Sequence, residues 1–255
     1  VTEAARTTTD PFADIWARAS GFEGWLTEGQ ARMLWDAAVG LASPAVIVEI
    51  GSFRGRSTSV LAAAAGPGVA VYAVDPHAGG DRGPNEIRPE ADRGEADHRA
   101  FLANLDVAGV AGRVRHVRQR SADALGAVEG PADLLFVDGA HRYGPARDDI
   151  VAWGARVPDG GVMLIHDAWN AVGVTLAQLR VLVFGSRWAY EGRSRSLARY
   201  RRRDLRGRER VRNALRQLRE LLVFVRLALV KVAVVARLRP LARLLGLPRG
   251  DAWPY

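Results

Sequence analysis

The chain contains no cysteine. That excludes disulfides, thiolate metal sites, iron–sulfur clusters and a cysteine nucleophile. No run reaches ~18 uncharged apolar residues, so the sequence predicts no membrane span. The first 20 residues are polar with a slight acidic excess, which does not suit a secretory leader. Lysine is nearly missing too: Lys231 is the only one, and arginine carries almost all the positive charge. What remains is ample for folding. The chain has 255 residues, 48% of them apolar and 25% charged. That is material for one domain, or two, around a real core, and it does not fit a wholly disordered chain.

The net charge of +8 hides a division. Residues 1–186 hold 17 basic and 23 acidic side chains, whereas residues 187–255 hold 19 and 5. An acidic body therefore carries a basic tail. The charge of the body gives no reason to expect nucleic acid.

Hydrophobic patterning predicts helix over 12–40, then a buried strand at Ala45-Val46-Ile47-Val48-Glu49-Ile50. A glycine turn, Gly51-Ser52-Phe53-Arg54-Gly55, leads into a helix over 57–65. Strands are predicted at 69–74, 114–117, 133–137 and 162–165. Helices are predicted at 95–105, 121–128, 145–154 and 171–182, and a closing hairpin at 186–190 and 196–200. Residues 77–97 read as a polar loop or lid, with helix starting near Asn85. Strands alternating with helices predict an α/β fold, a mostly parallel sheet with helices on both faces. Ligands then bind beyond the carboxyl ends of the strands. Those ends carry Glu49, Asp75, Asp138 and His166-Asp167.

The first strand end offers Gly51 and Gly55 for close backbone approach. Its spacing is not that of a dinucleotide fingerprint. Glu49 would repel a pyrophosphate but suits a cationic cofactor, and Asp75 suits a ribose diol. A capping loop with a surface aspartate is the plain alternative. Further on, Asp138 is followed three residues later by His141, and His166-Asp167 ends the next strand. Asp138 and Asp167 suit a divalent cation that would polarise a hydroxyl. His141 suits proton removal near neutral pH. Equally, His141 suits a helix cap and His166 a bond within its own loop.

Val48-Glu49-Ile50-Gly51-Ser52-Phe53-Arg54-Gly55-Arg56-Ser57 and Val71-Tyr72-Ala73-Val74-Asp75-Pro76 resemble the first two motifs of class I S-adenosylmethionine-dependent methyltransferases. Val137-Asp138-Gly139-Ala140-His141-Arg142-Tyr143, Asp149-Ile150 and Gly160-Gly161-Val162-Met163-Leu164-Ile165-His166-Asp167 resemble a bacterial small-molecule branch of them. That branch is related to the catechol, caffeoyl-coenzyme A and macrolide-sugar O-methyltransferases. The resemblance covers about residues 40–202 and implies a Rossmann-like fold with a seven-stranded sheet. It implies S-adenosylmethionine held by Glu49, Gly51, Ser52, Gly55, Ser57, Asp75 and Ser121, with Ser121 beside adenine. It implies a metal at Asp138, His166 and Asp167. His141 stands where the catechol enzymes carry a lysine base, so His141 and Asp138 are the expected catalytic pair. Imidazole at position 166 departs from the usual oxygen ligands of Mg²⁺ and suits Mn²⁺, Fe²⁺ or Zn²⁺ better, or a site without metal, so both a metal-assisted and a metal-free reaction stay open.

The expected organisation is a helical lead-in at 1–40, a cofactor-binding domain at 41–202 and a basic helical tail at 203–255. In the tail, Arg212, Arg216, Arg219, Arg226, Lys231 and Arg237 fall within an arc of roughly 140° on a helix. The rest of that helix is apolar, which suits an anionic membrane surface. Packing on the body or in a homodimer competes with that reading, and nucleic acid is disfavoured. The leading expectation is methyl transfer to a hydroxyl of a small metabolite or sugar, in the cytoplasm, with the tail on the inner face of the membrane. Methylation of a small amine, a diverged hydroxylase-like activity and a non-catalytic membrane-associated binding protein are the alternatives.

Overall fold

The structure is a computed structural model that describes residues 10–81 and 88–246. Expectations for residues 1–9, 82–87 and 247–255, including the lid tip and a helix start at Asn85, lie outside the described residues.

Seven strands form one sheet: β1 (Ala45–Ile50), β2 (Val69–Val74), β3 (Val114–Val117), β4 (Leu134–Val137), β5 (Val162–Ile165), β6 (Trp188–Ser194) and β7 (Leu197–Arg202). Their order is β3-β2-β1-β4-β5-β7-β6. The first five are parallel, and β7 pairs antiparallel with both β5 and β6. The sheet buries both faces, so side-chain alternation divides the core in two. Ile47, Val71, Leu134, Phe136 and Leu164 pack on one side. Val48, Ile50, Tyr72, Leu135, Met163 and Ile165 pack on the other.

The first face is covered by α1 (Pro11–Ala19), α2 (Glu28–Val39), α3 (Arg56–Ala64) and α4 (Ala91–Ala108). The second is covered by α5 (Tyr143–Ala152), α6 (Val172–Gln178) and part of α7 (Gly207–Val235), which is followed by a short α8 (Arg239–Leu244). The single helix expected over 12–40 is therefore two. Residues 20–27 separate them, and a new cap forms where the Thr27 amide donates to Gln30 Oε1 at 2.9 Å. The helix expected over 121–128 is only a 3-10 turn at Leu125–Ala127. That expected over 171–182 ends as a π turn at Leu179–Val183.

The expected 77–97 loop is tied down on its near side. The Glu90 amide donates to Ala78 O at 2.9 Å. A Cβ on Gly79 would stand 2.1 Å from Glu90 O, and one on Gly94 would stand 2.0 Å from His77 O. The chain thus crosses itself at van der Waals contact between two glycines.

One arrangement of the ladder positions the site. The amide of Gly51 donates to Val74 O, that of Asp75 to Val117 O, that of Asp138 to Ile50 O and that of His166 to Val137 O. Each residue just past a strand end still bonds to the neighbouring strand. Four parallel strands therefore present Gly51, Asp75, Asp138 and His166 along one edge.

Candidate active site

A cleft of about 430 Å³ opens above this edge. Gly51, Ser52, Ser57, Asp75, Ser121, Asp138 and His141 all line it. Gly51 has φ +86°, and a Cβ there would stand 2.2 Å from Asp138 O. No other residue fits that turn without moving β4's exit. Ser52 is buried, and its Oγ has no partner. An unsatisfied buried hydroxyl at a cleft wall is a ready contact for a polar ligand.

Asp75 accepts from the Phe53 amide at 2.8 Å and from the His77 amide at 2.7 Å. Burial raises its pKa, and these amides oppose that rise. Each oxygen keeps a lone pair for a diol. At the far end, Asp149 is buried and lines the cleft beside Ser121. Burial pushes its pKa up to about 6 against the Ser121 hydrogen bond.

Two expected cofactor residues stand elsewhere. Glu49 is fully buried beneath the turn, where it accepts from Ser57 Oγ at 2.5 Å and from Thr58 Oγ1. Burial pushes it up to about 8 despite these bonds. Gly55 lies behind the wall against Phe101 and gives α3 its left-handed start.

His166 and Asp167 lie behind the rim and pair with the residues in front. Asp167 Oδ2 lies 2.7 Å from His141 Nε2, and Asp138 Oδ1 lies 3.0 Å from His166 Nδ1. Burial disfavours charge on His166, but Asp138 and Asp167 outweigh it and push the pKa up to about 9. Burial likewise opposes charge on His141, and Asp167 and Asp138 raise its pKa nonetheless. Asp167 is held well below the ordinary range: burial would raise it, but both imidazoles and Asn170 overcome that.

This pairing does not fit the expected metal at Asp138, His166 and Asp167. Both ring nitrogens of His166 are already occupied, Nδ1 beside Asp138 and Nε2 beside the Gln30 amide. Asp167 has one oxygen beside His141 and the other accepting from Asn170 Nδ2 at 2.8 Å. Among the described residues, no three His, Asp or Glu side chains are grouped to hold a metal ion.

Several residues of the site escaped sequence reasoning. Gln30 is fully buried and lies 3.3 Å from His166 Nε2, while its amide donates to Ser196 Oγ. Arg56 donates to the carbonyls of Phe22, Gly24 and Leu26, fastening the 20–27 loop so that Glu23 and Trp25 line the cleft. Gly24 and the Thr27-to-Gln30 capping pattern were the signals for that loop. Arg142 binds Asp81 through two 2.9 Å bonds, joining the 77–81 loop to α5. No local signal marks that pair.

Residues 48–168 match a family model described as a methyltransferase domain. Solved structures share the fold at low identity. Rv0187 from MTB, solved with cofactor bound, is 21% identical with a TM-score of 0.51, covering 78% of this chain and 93% of its own. An O-methyltransferase from Bacillus cereus solved with SAH is 14% identical with a TM-score of 0.52, covering 77% and 91%. The SAH-bound methyltransferase PaMTH1 of Podospora anserina is 16% identical with a TM-score of 0.53, covering 77% and 89%. Motifs, strand order and family match thus agree on a methyltransferase-like domain around residues 48–168.

Proposed function

We propose that the protein transfers a methyl group from S-adenosylmethionine to a hydroxyl of a small molecule, with residues 41–202 as the transferase unit. The observation that supports this most is the His141–Asp167 pair at the rim of a cleft walled by Gly51, Ser52 and Asp75. When bound, the cofactor supplies an electrophilic methyl group on a sulfonium. Gly51 and Ser52 border its methionine part, Asp75 accepts from the ribose hydroxyls, and Ser121 stands beside adenine. Glu49 acts indirectly, by holding Ser57.

His141 is the base. Asp167 Oδ2 stands 2.7 Å from Nε2 and raises the ring's proton affinity, leaving Nδ1 for the hydroxyl proton of the acceptor. Asp138, held by His166, forms the polar wall beside it. These groups deprotonate and align the acceptor without a divalent cation. The O-methyltransferase description of the Bacillus cereus neighbour agrees with a hydroxyl acceptor.

Transfer of labelled methyl to a panel of hydroxylated and amino acceptors, in EDTA, tests this. The label should reach oxygen. His141→Ala should lower turnover on the order of 10²–10⁴-fold while cofactor affinity stays within severalfold. Label on nitrogen, a requirement for added metal, or parallel loss of affinity would contradict the reading.

We also propose that α7 lies on an anionic membrane surface. Its exposed stripe includes Leu215, Leu222, Val225, Leu229 and Val232, with Leu222 75% exposed. Arg208, Arg212, Arg219 and Arg226 are exposed on the same helix. Its two acids are engaged elsewhere, Glu209 with Arg203 and Glu220 with Arg193. Cationic flanks without free acids repel a second copy and suit acidic lipids. Among the described residues no helix is long and apolar enough to cross a membrane. The protein should sediment with phosphatidylserine vesicles and not with neutral ones. Self-association without vesicle binding would assign the stripe to a second copy.

A further inference from the structure

The chain's only lysine comes from the tail, yet it points to the reaction centre. Lys231 Nζ donates to Asn170 Oδ1 at 2.9 Å and to Asn170 O at 3.1 Å. Asn170 is buried, and its Nδ2 donates to Asp167 Oδ1 at 2.8 Å. The other oxygen of Asp167 lies 2.7 Å from His141 Nε2. Four side chains from α7, the segment after β5 and the segment after β4 thus form one chain of contacts.

The chemistry of the links gives that chain a direction. An ammonium only donates, and a carboxylate only accepts. An asparagine between them satisfies both in one orientation alone, with its oxygen toward Lys231 and its nitrogen toward Asp167. Without the ammonium the amide is free to rotate, and its oxygen would then face a carboxylate. The second bond, to Asn170 O, fixes the backbone that carries the amide. Asp167 needs such support because it sits at φ +53°, in the left-handed region.

Lys231 also differs from the other basic residues of its helix. Arg208, Arg212, Arg216, Arg219 and Arg226 are exposed, whereas Lys231 is half-buried. A partly desolvated ammonium is stable only where hydrogen bonds compensate it. Lys231 therefore does not serve the cationic surface of α7.

We propose that Lys231 is a positioning residue for the acid–base pair: through Asn170 it locks the Asp167 carboxylate against His141. The tail helix is then a working part of the active site. This rests on the reading of His141 as base.

The test uses the full-length protein with Lys231→Met, Lys231→Arg, Asn170→Ala and the double variant K231M/N170A. K231M should lower kcat on the order of tenfold, with KM for S-adenosylmethionine and affinity for its demethylated product unchanged. K231R, which keeps the donor, should recover most of that loss. The double variant should be no worse than N170A, because both break one chain of contacts. Wild-type kcat in K231M, or multiplied losses in the double variant, would overturn the proposal. Where K231M does not fold, N170A carries the test: kcat must fall with KM unchanged. An NMR readout separates this idea from the function it rests on. The side-chain amide resonances of Asn170 should shift in K231M whether or not an acceptor is known, and unmoved resonances would overturn the lock. Absence of transfer by wild type with every acceptor, while those resonances do shift, would instead refute the role of His141.

Discussion

At the scale of single residues, the site is a set of charges kept out of water by one another. His141, Asp167, His166 and Asp138 form two facing pairs, at 2.7 and 3.0 Å. Replacing Asp167 by Asn removes the carboxylate that raises the His141 pKa. The acidic limb of the kcat/KM profile should then move to lower pH, and the rate should fall on the order of a hundredfold or more. A pH–rate profile of D167N checks both. Glu49 offers a separate test. Its pKa is about 8 in the fold against 4.5 for an ordinary glutamate, so the folded state keeps a proton that the unfolded chain releases. Stability linked to Glu49 is therefore complete below about pH 4.5 and lost as pH rises toward 8. Glu49→Gln should raise the unfolding free energy at pH 8 on the order of 2 kcal/mol and leave it nearly unchanged at pH 4, in urea melts at both values. Asp75, Asp138 and His141 were legible in the sequence because each ends a strand or follows one closely. Gln30, Asn170 and Lys231 were not. Their partners lie 136, 3 and 61 residues away, and neither the cap at Gln30 nor the singularity of Lys231 reveals which buried atoms they meet.

At the scale of elements, the tail helix does more than its charge suggested. Strand β6 is an edge of the sheet. Asn213 of α7 accepts from the Tyr190 amide at 2.8 Å and donates to Trp188 O at 3.1 Å. One side chain thus satisfies a donor and an acceptor that an open edge would leave bare. Glu220 adds bonds to Tyr190 and Arg193, each 2.8 Å. Asn213→Ala should cost about 1–3 kcal/mol, because two buried backbone groups lose their partner. Chemical denaturation of the intact chain measures it, and a loss below about 0.5 kcal/mol would mean that water takes over the edge. The strands were legible from apolar runs bounded by turn residues, and the parallel order followed from their alternation with helices. The break at residues 20–27 was obscured by Phe22, Trp25 and Leu26, which continued the apolar pattern of a helix. They are apolar because they pack over the cleft and the core, which periodicity alone does not reveal.

At the scale of the whole molecule, pH acts on the body through a second group of imidazoles. His77, His98 and His116 surround one another with ring centroids 5.1 Å apart, beside Phe101. Burial holds His77 and His116 down to about 4, each helped by its charged neighbours in the cluster. Both are neutral in the fold and charge more readily in the unfolded chain. The stability they contribute is present above about pH 6.5 and is lost as pH falls toward 4. Thermal midpoints of the wild type should drop across that window, and His116→Phe should flatten the drop. The charge division between body and tail was plain in the sequence. The docking of the tail was not, because it depends on Asn213, Glu220 and Lys231 meeting atoms of a surface that exists only once the sheet has formed.

Every role proposed for the reaction centre depends on the cleft holding S-adenosylmethionine. Calorimetric titration of the folded protein with the demethylated cofactor product, in EDTA, tests it most directly. Saturable binding at one site per chain is expected, weakened on the order of tenfold by Asp75→Ala, which removes the acceptor for the ribose hydroxyls. No heat of binding from a sample shown to be folded, or binding that D75A leaves untouched, would contradict it.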